Sequence, residues 1–244
     1  MDVIKIKQIR VDKILSSSGI GSRKEVKKYI RNGLVHVDGK VIDNPGLLID
    51  PMVQKICFQG QEVFYQQFYY YMLNKPAGFI SATEDKYDQT VMDLLKPKDQ
   101  KNLFPVGRLD KDTEGLLLLT NDGELTHNLL SPKKKVPKTY YAKIQGQVTK
   151  SDKIAFQSGV LLDDGYHTLP SELKIITSGD ISEIELTICE GKFHQVKRMF
   201  ISRGQKVIYL KRISMGSLKL DENLDLGEYR PLTEKEIKEL KVSI

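Results

Sequence analysis

The chain has 244 residues, 40% of them hydrophobic, enough for one large domain or two unequal ones with a sizeable core. Its two cysteines, Cys57 and Cys189, stand far apart without C-x-x-C spacing, which speaks against a disulfide framework or a zinc site and fits small buried hydrophobes in a reducing compartment. MDVIKIKQIRVDK has no apolar core of signal-peptide length and no run is long enough to cross a bilayer, so the expected setting is the cytoplasm, away from membranes.

Net charge is +6, and residues 1–60 hold eight Lys and three Arg against six acidic residues, a net +5 that leaves +1 for the rest. A small basic module on a nearly neutral body points towards nucleic acid. Within that module Ile14 and Leu15 mark a first helix that Gly19 ends, and Ser22 is placed to cap a second whose apolar face is Val26, Tyr29 and Ile30. Arg23, Lys24, Lys27, Lys28 and Arg31 fall away from that face and form an exposed basic side suited to phosphates. Gly33 stops the helix; Leu34, Val35 and Val37 then lead into Asp38-Gly39, a type I′ hairpin signal, and Val41 and Ile42 resume a strand.

The polar, glutamine-rich CFQGQEVFYQQF reads as a linker ending near Gln67, which divides the chain into a module at 1–60, a linker at 61–67 and a body at 68–244. In the body, FYYYMLNKP is a β-rich run halted by Pro76, with Gly78 permitting a sharp turn. Leu116 to Leu119 form a buried strand between Gly115 and the turn residues Asn121-Asp122-Gly123. Strand-like KTYYAKI and IELTICEG follow, then a helix predicted over Lys192 to Arg203 with Phe193, Val196 and Phe200 on its core face, then strand-like KVIYLKRI. Strands and helices do not alternate, so the expected class is α+β with a mixed, largely antiparallel sheet.

The richest stretch for chemistry is VGRLDKDTEGLLLLTNDGEL, in which Asp110 sits on a loop leading into the leucine strand. Residues alone leave it open whether Asp110 acts on a substrate, caps a turn with Thr113 or pairs with Arg108. A metal-dependent phosphotransfer centre built on Asp110, Asp112 and Asp122 is another reading, although no phosphate-cradling Gly-rich loop accompanies it.

Two resemblances narrow the choice. Residues 8–55, with Asp12-Lys13, Gly21-Ser22-Arg23, Gly33 and Val35-x-Val37-x-Gly39, resemble the alpha-L motif, a small RNA-binding module found in a small-subunit ribosomal protein and in tyrosyl-tRNA synthetases. GRLDKDTEGLLLLTNDGEL resembles the signature of the RsuA family of pseudouridine synthases, which modify ribosomal RNA. Further matches come in order: Asn74-Lys75-Pro76-x-Gly78, Lys138-x-Tyr140, the run from Glu190 through Met199, and Leu226-Gly227-Glu228-Tyr229-Arg230-x-Leu232-Thr233.

The resemblance implies that Asp110 is the essential catalytic carboxylate, that Tyr140 stacks on the target uracil and that Lys197 is the charge partner that keeps Asp110 ionised. Successive strand residues point to opposite faces, so Tyr141 turns away from a cleft that Tyr140 lines. Arg108, His194, Gln195 and Arg198 are expected RNA contacts rather than catalysts, and the run Lys133-Lys134-Lys135 is either a solvated loop or a further phosphate grip.

Uridine isomerisation moves a glycosidic bond from nitrogen to carbon without redox change, so neither metal nor cofactor is called for. A carboxylate suits it because it can attack the anomeric carbon, add to the uracil ring or take a proton from the neighbouring ribose carbon. The wording LLSPKKKVPKTYYAKI is similar to the small-subunit branch of the family, which implies an enzyme acting on 16S rRNA within an assembling small subunit; a monomer is the simpler expectation for its oligomeric state. The same reaction on 23S rRNA, or a non-catalytic rRNA-binding assembly factor, are the alternatives.

Overall fold

The computed structural model describes residues 8–100 and 102–242; the first seven residues of the N-terminal segment lie outside it. The chain forms two compact units that divide between Gln67 and Phe68.

In the first unit, helix α1 (Val11–Ser17) and helix α2 (Arg23–Arg31) precede a small sheet of β1 (Val35–Val37), β2 (Lys40–Val41), β3 (Ile56–Phe58) and β4 (Gln61–Glu62), ordered β2-β1-β3-β4. Ser22 caps α2 in a reciprocal box: Glu25 N–H donates to its hydroxyl at 3.3 Å, and its own N–H donates to the Glu25 carboxylate at 2.8 Å. Asp38 and Gly39 both take positive φ, 50° and 79°, as a type I′ turn between β1 and β2 requires. Val11, Ile14, Leu15, Val26, Ile30 and Val35 are wholly buried and form the core.

The expected linker begins too early. Gln61–Glu62 pairs with β3, and Val63 N–H donates to Ile56 O at 2.9 Å, so a glutamine-rich segment that reads as polar and loose is the last hairpin of this sheet. Its turn, Gln59-Gly60, again has two positive φ angles.

The second unit is built on one sheet ordered β8-β9-β7-β10-β6-β5-β11, from β5 (Tyr70–Lys75), β6 (Glu114–Thr120), β7 (Lys138–Gln145), β8 (Glu172–Thr177), β9 (Ile181–Ile188), β10 (Lys206–Met215) and β11 (Tyr229–Pro231). Neighbours along this order are antiparallel except β10 and β6, so the sheet is mixed and mainly antiparallel, as expected. At the parallel junction Arg212 lies opposite Gly115, where a Cβ would come within 2.3 Å of Arg212 O. Only glycine fits there, and its φ of 98° reinforces the requirement.

The leucine run is explained by burial on both faces of β6. Leu117 and Leu119 join a core with Leu73, Tyr140, Phe156 and Phe200, whereas Leu116 and Leu118 join a second core with Met72, Leu125 and Leu240. Each fully buried leucine contributes about 2 kcal/mol of hydrophobic stabilisation. Helices α4 (Lys150–Ser158) and α5 (Gln195–Ile201) supply the first core and meet through Phe156 and Phe200, whose rings lie 5.0 Å apart. Helices α3 (Gly123–Leu130) and α6 (Glu234–Val242) supply the second. Among the described residues no helix is long and apolar enough to cross a membrane.

Candidate active site

The site is assembled on the loop between Gly107 and Thr113 that feeds β6. Lys75 ends β5 with no exposed surface, and its ammonium reaches the carbonyl oxygens of Thr113 (2.8 Å), Pro76 (3.0 Å), Asp110 (3.1 Å) and Lys111 (3.3 Å). Burial draws the Lys75 amine down to about 8, against the upward pull of Asp112, Asp110 and Glu114. On the other side Ser81 donates to Leu109 O and accepts from Leu109 N–H, both at 3.0 Å, and Gly78 N–H donates to Lys111 O at 2.7 Å. The loop carrying Asp110 is therefore stitched down from both flanks. Its turn is closed by backbone alone, Thr113 N–H to Asp110 O at 3.0 Å, which leaves the Asp110 carboxylate for other work.

That carboxylate is about a quarter exposed and faces two groups from the start of α5. Lys197 Nζ lies 3.1 Å from its Oδ2, and His194 Nε2 lies 3.7 Å from its Oδ1. Lys197 also binds Asp112 at 2.6 Å, a partner that sequence reasoning missed. Burial alone would lower the Lys197 amine; its bonds to Asp112 and Asp110 prevail and hold it above the ordinary lysine range. Asp112 is held low by the same contact, which outweighs its partial burial.

Tyr140 is 8% exposed and packs in one cluster with Leu109 and Val196, the neighbours of Asp110 and Lys197 in sequence. Tyr141 takes the opposite face, as alternation requires, where its ring meets Tyr209 edge-on at 6.0 Å. Opposite Tyr140 on β10 stands Arg212, 2% exposed, whose Nε donates to Leu116 O at 2.8 Å. Lys138 is also buried, donates to Val136 O at 3.1 Å, and is lowered first by burial and then by Arg212. Lys75, Lys138 and Arg212 thus hold backbone carbonyls, and none forms an ion pair within 4.0 Å among the described residues.

Several expected contacts are corrected. Helix α5 starts at Gln195, not Lys192, because His194 adopts a left-handed conformation (φ 48°, ψ 31°). Phe193 consequently leaves the core face assigned to it and is 74% exposed. Gln195 is 4% exposed; its Nε2 donates to Glu190 at 2.6 Å and its Oε1 accepts from Lys192 N–H at 2.8 Å, so it shapes the loop and has no surface for RNA. Arg198 is committed to Asp163 and Asp164, with Nη2 2.7 Å from the latter. Arg108 and the run Lys133-Lys134-Lys135 are exposed, and so are Arg23, Lys24, Lys27, Lys28 and Arg31 on the outer side of α2.

Asp110, Asp112 and Asp122 do not converge. Asp122 is buried, capping α3 through Leu125 N–H at 3.0 Å and accepting from the Tyr70 hydroxyl at 2.7 Å. Among the described residues no group of three His, Cys, Asp or Glu is arranged to hold a metal.

Comparison with known proteins decides the family. Residues 69–202, which contain Asp110, Tyr140 and Lys197, match the model for RNA pseudouridylate synthase, and residues 9–55 match the S4 domain. The chain belongs to the RNA pseudouridine synthase family. Similar relatives include an uncharacterized RNA pseudouridine synthase, YtzG, of Bacillus subtilis, 51% identical over 94% of this synthase and 97% of that protein. Ribosomal small subunit pseudouridine synthase A of Vibrio cholerae is 39% identical over 94% of this synthase and 98% of its own length. Ribosomal large subunit pseudouridine synthase B of Bacillus subtilis is 39% identical over 95% of each. A crystal structure of a pseudouridylate synthase superposes with a TM-score of 0.68 at 35% identity, covering 95% of this synthase and 99% of that chain.

Proposed function

We propose that this synthase converts one uridine of small-subunit ribosomal RNA to pseudouridine in the cytoplasm, working as a monomer, with Asp110 as its catalytic carboxylate and Tyr140 as the ring that receives the flipped uracil. The observation that carries the reading is Asp110 itself: a partly exposed carboxylate 3.1 Å from Lys197, on a loop whose own carbonyl is held by buried Lys75. Attack on the anomeric carbon, addition to the uracil ring and removal of a ribose proton all begin from a carboxylate held in one place, and all build charge that a fixed ammonium offsets. Lys197 supplies that ammonium, and Lys75 and Ser81 supply the fixed loop.

The choice of ribosomal RNA draws on relatives named for both subunits at equal identity. The small-subunit choice rests on the likeness of LLSPKKKVPKTYYAKI to that branch of the family. The exposed basic side of α2 supports an RNA anchor in the first unit.

In a tritium-release assay on transcribed 16S and 23S rRNA, the wild-type chain is expected to act on 16S, and Asp110→Asn to release nothing while binding RNA with nearly unchanged affinity. Full release by Asp110→Asn removes Asp110 from the chemistry. Release from 23S alone moves the substrate to the large subunit.

A further inference from the structure

We propose that Phe193, stacked on His194, is a platform for the nucleobase next to the target uridine; this rests on the pseudouridine synthase reading above. The rings of Phe193 and His194 lie 3.8 Å apart and 18° from parallel. His194 Nε2 is 3.7 Å from Asp110 Oδ1, so the pair begins at the catalytic carboxylate and ends in an aromatic ring that is 74% exposed. A base stacked on Phe193 would stand one ring beyond His194, where the strand continues once the target uridine has been drawn to Asp110.

The mount is rigid. Gln195 ties Lys192 N–H to Glu190, and the same Glu190 oxygen accepts from Leu169 N–H at 2.9 Å. Arg198 donates to Phe193 O at 3.4 Å while Asp163 and Asp164 fix its guanidinium. The left-handed turn at His194 turns Phe193 out of the core that Val196 and Phe200 enter. Exposing that ring gains nothing for folding. It does preorganise a sequence-tolerant π surface next in sequence to the exposed Lys192, and aromatic rings with nearby cations are the combination by which proteins grip single-stranded RNA.

The chain contains no tryptophan, so Phe193→Trp places a lone reporter on the platform. Oligouridylate is expected to quench its fluorescence, whereas an abasic ribose-phosphate strand of equal length, with the same phosphate charge, is expected to bind without quenching. In tritium release on transcribed 16S and 23S rRNA, Phe193→Ala is expected to raise KM about tenfold with kcat changed far less, the loss of one base–aromatic stack. Phe193→Tyr should restore KM, and the melting temperature of Phe193→Ala should match the wild type. Equal quenching by the abasic strand, or a wild-type KM in Phe193→Ala, overturns the platform. Absence of release by the wild-type chain on either RNA contradicts the proposed function instead, and the quenching comparison then judges the platform alone.

Discussion

At the scale of single residues the site depends on how two carboxylates share one ammonium. Lys197 sits between Asp110 at 3.1 Å and Asp112 at 2.6 Å, but Asp112 is 72% exposed and its contact is screened by water. Lys197→Met is therefore expected to lower kcat on the order of a hundredfold, the size of loss seen when a fixed electrostatic group is removed. Asp112→Asn should cost less than about threefold. Equal losses in single-turnover kinetics would show that Asp112 does more than share the charge. The pairing of Asp110 with Lys197 was legible in the sequence because a long motif surrounds each. The protein partners of Gln195 and Arg198, which are Glu190, Asp163 and Asp164, were not legible because tertiary packing sets them, and a polar residue beside such a motif looks the same whether its partner is RNA or protein.

At the scale of elements, what was legible follows burial. The run Leu116–Leu119 announced a strand with two buried faces, and Ser22 with Asp38-Gly39 announced a cap and a turn. Phe193 was misplaced because helical spacing was carried through His194, whose left-handed backbone breaks the period. Helix α3 was hidden by the Asn121-Asp122-Gly123 signal, since a turn residue and a helix cap are the same chemistry. Helix α4 carried a findable sign: Asp152 accepts from Thr149 N–H at 2.9 Å, the far half of a capping box.

The closing segment allows a test by pH. Glu236, near the start of α6, accepts two bonds from Arg230 at 2.8 and 3.0 Å and one from Thr233 N–H at 2.7 Å, and these contacts hold it down to about 2 from 4.5. A depressed carboxylate stabilises above its unfolded value and loses that stabilisation as pH falls towards its folded value. Glu236→Gln should thus cost about 2 kcal/mol in urea unfolding at neutral pH, the deficit shrinking as pH drops from 4.5 towards 2. A deficit independent of pH would mean that the ion pair is not its source.

At the scale of the whole molecule, an S4 domain with a basic helix accompanies a synthase domain with its own sheet and two cores. The division of charge was visible in the sequence; the hairpin that Gln61–Glu62 closes was not, because a polar hairpin and a polar linker have the same composition. Replacing Arg23, Lys24, Lys27, Lys28 and Arg31 with glutamine should weaken rRNA binding and flatten the plot of log affinity against log salt by about 4 if all five meet phosphates, while the rate at saturating RNA changes little. An unchanged slope would place the anchor elsewhere.

The central claim is tested most directly by mapping pseudouridines in ribosomal RNA from cells with the wild-type chain, without it, and with Asp110→Asn in its place. One pseudouridine of small-subunit rRNA should be absent from the second and third and present in the first. A map unchanged by loss of the chain, or restored by Asp110→Asn, would contradict the account.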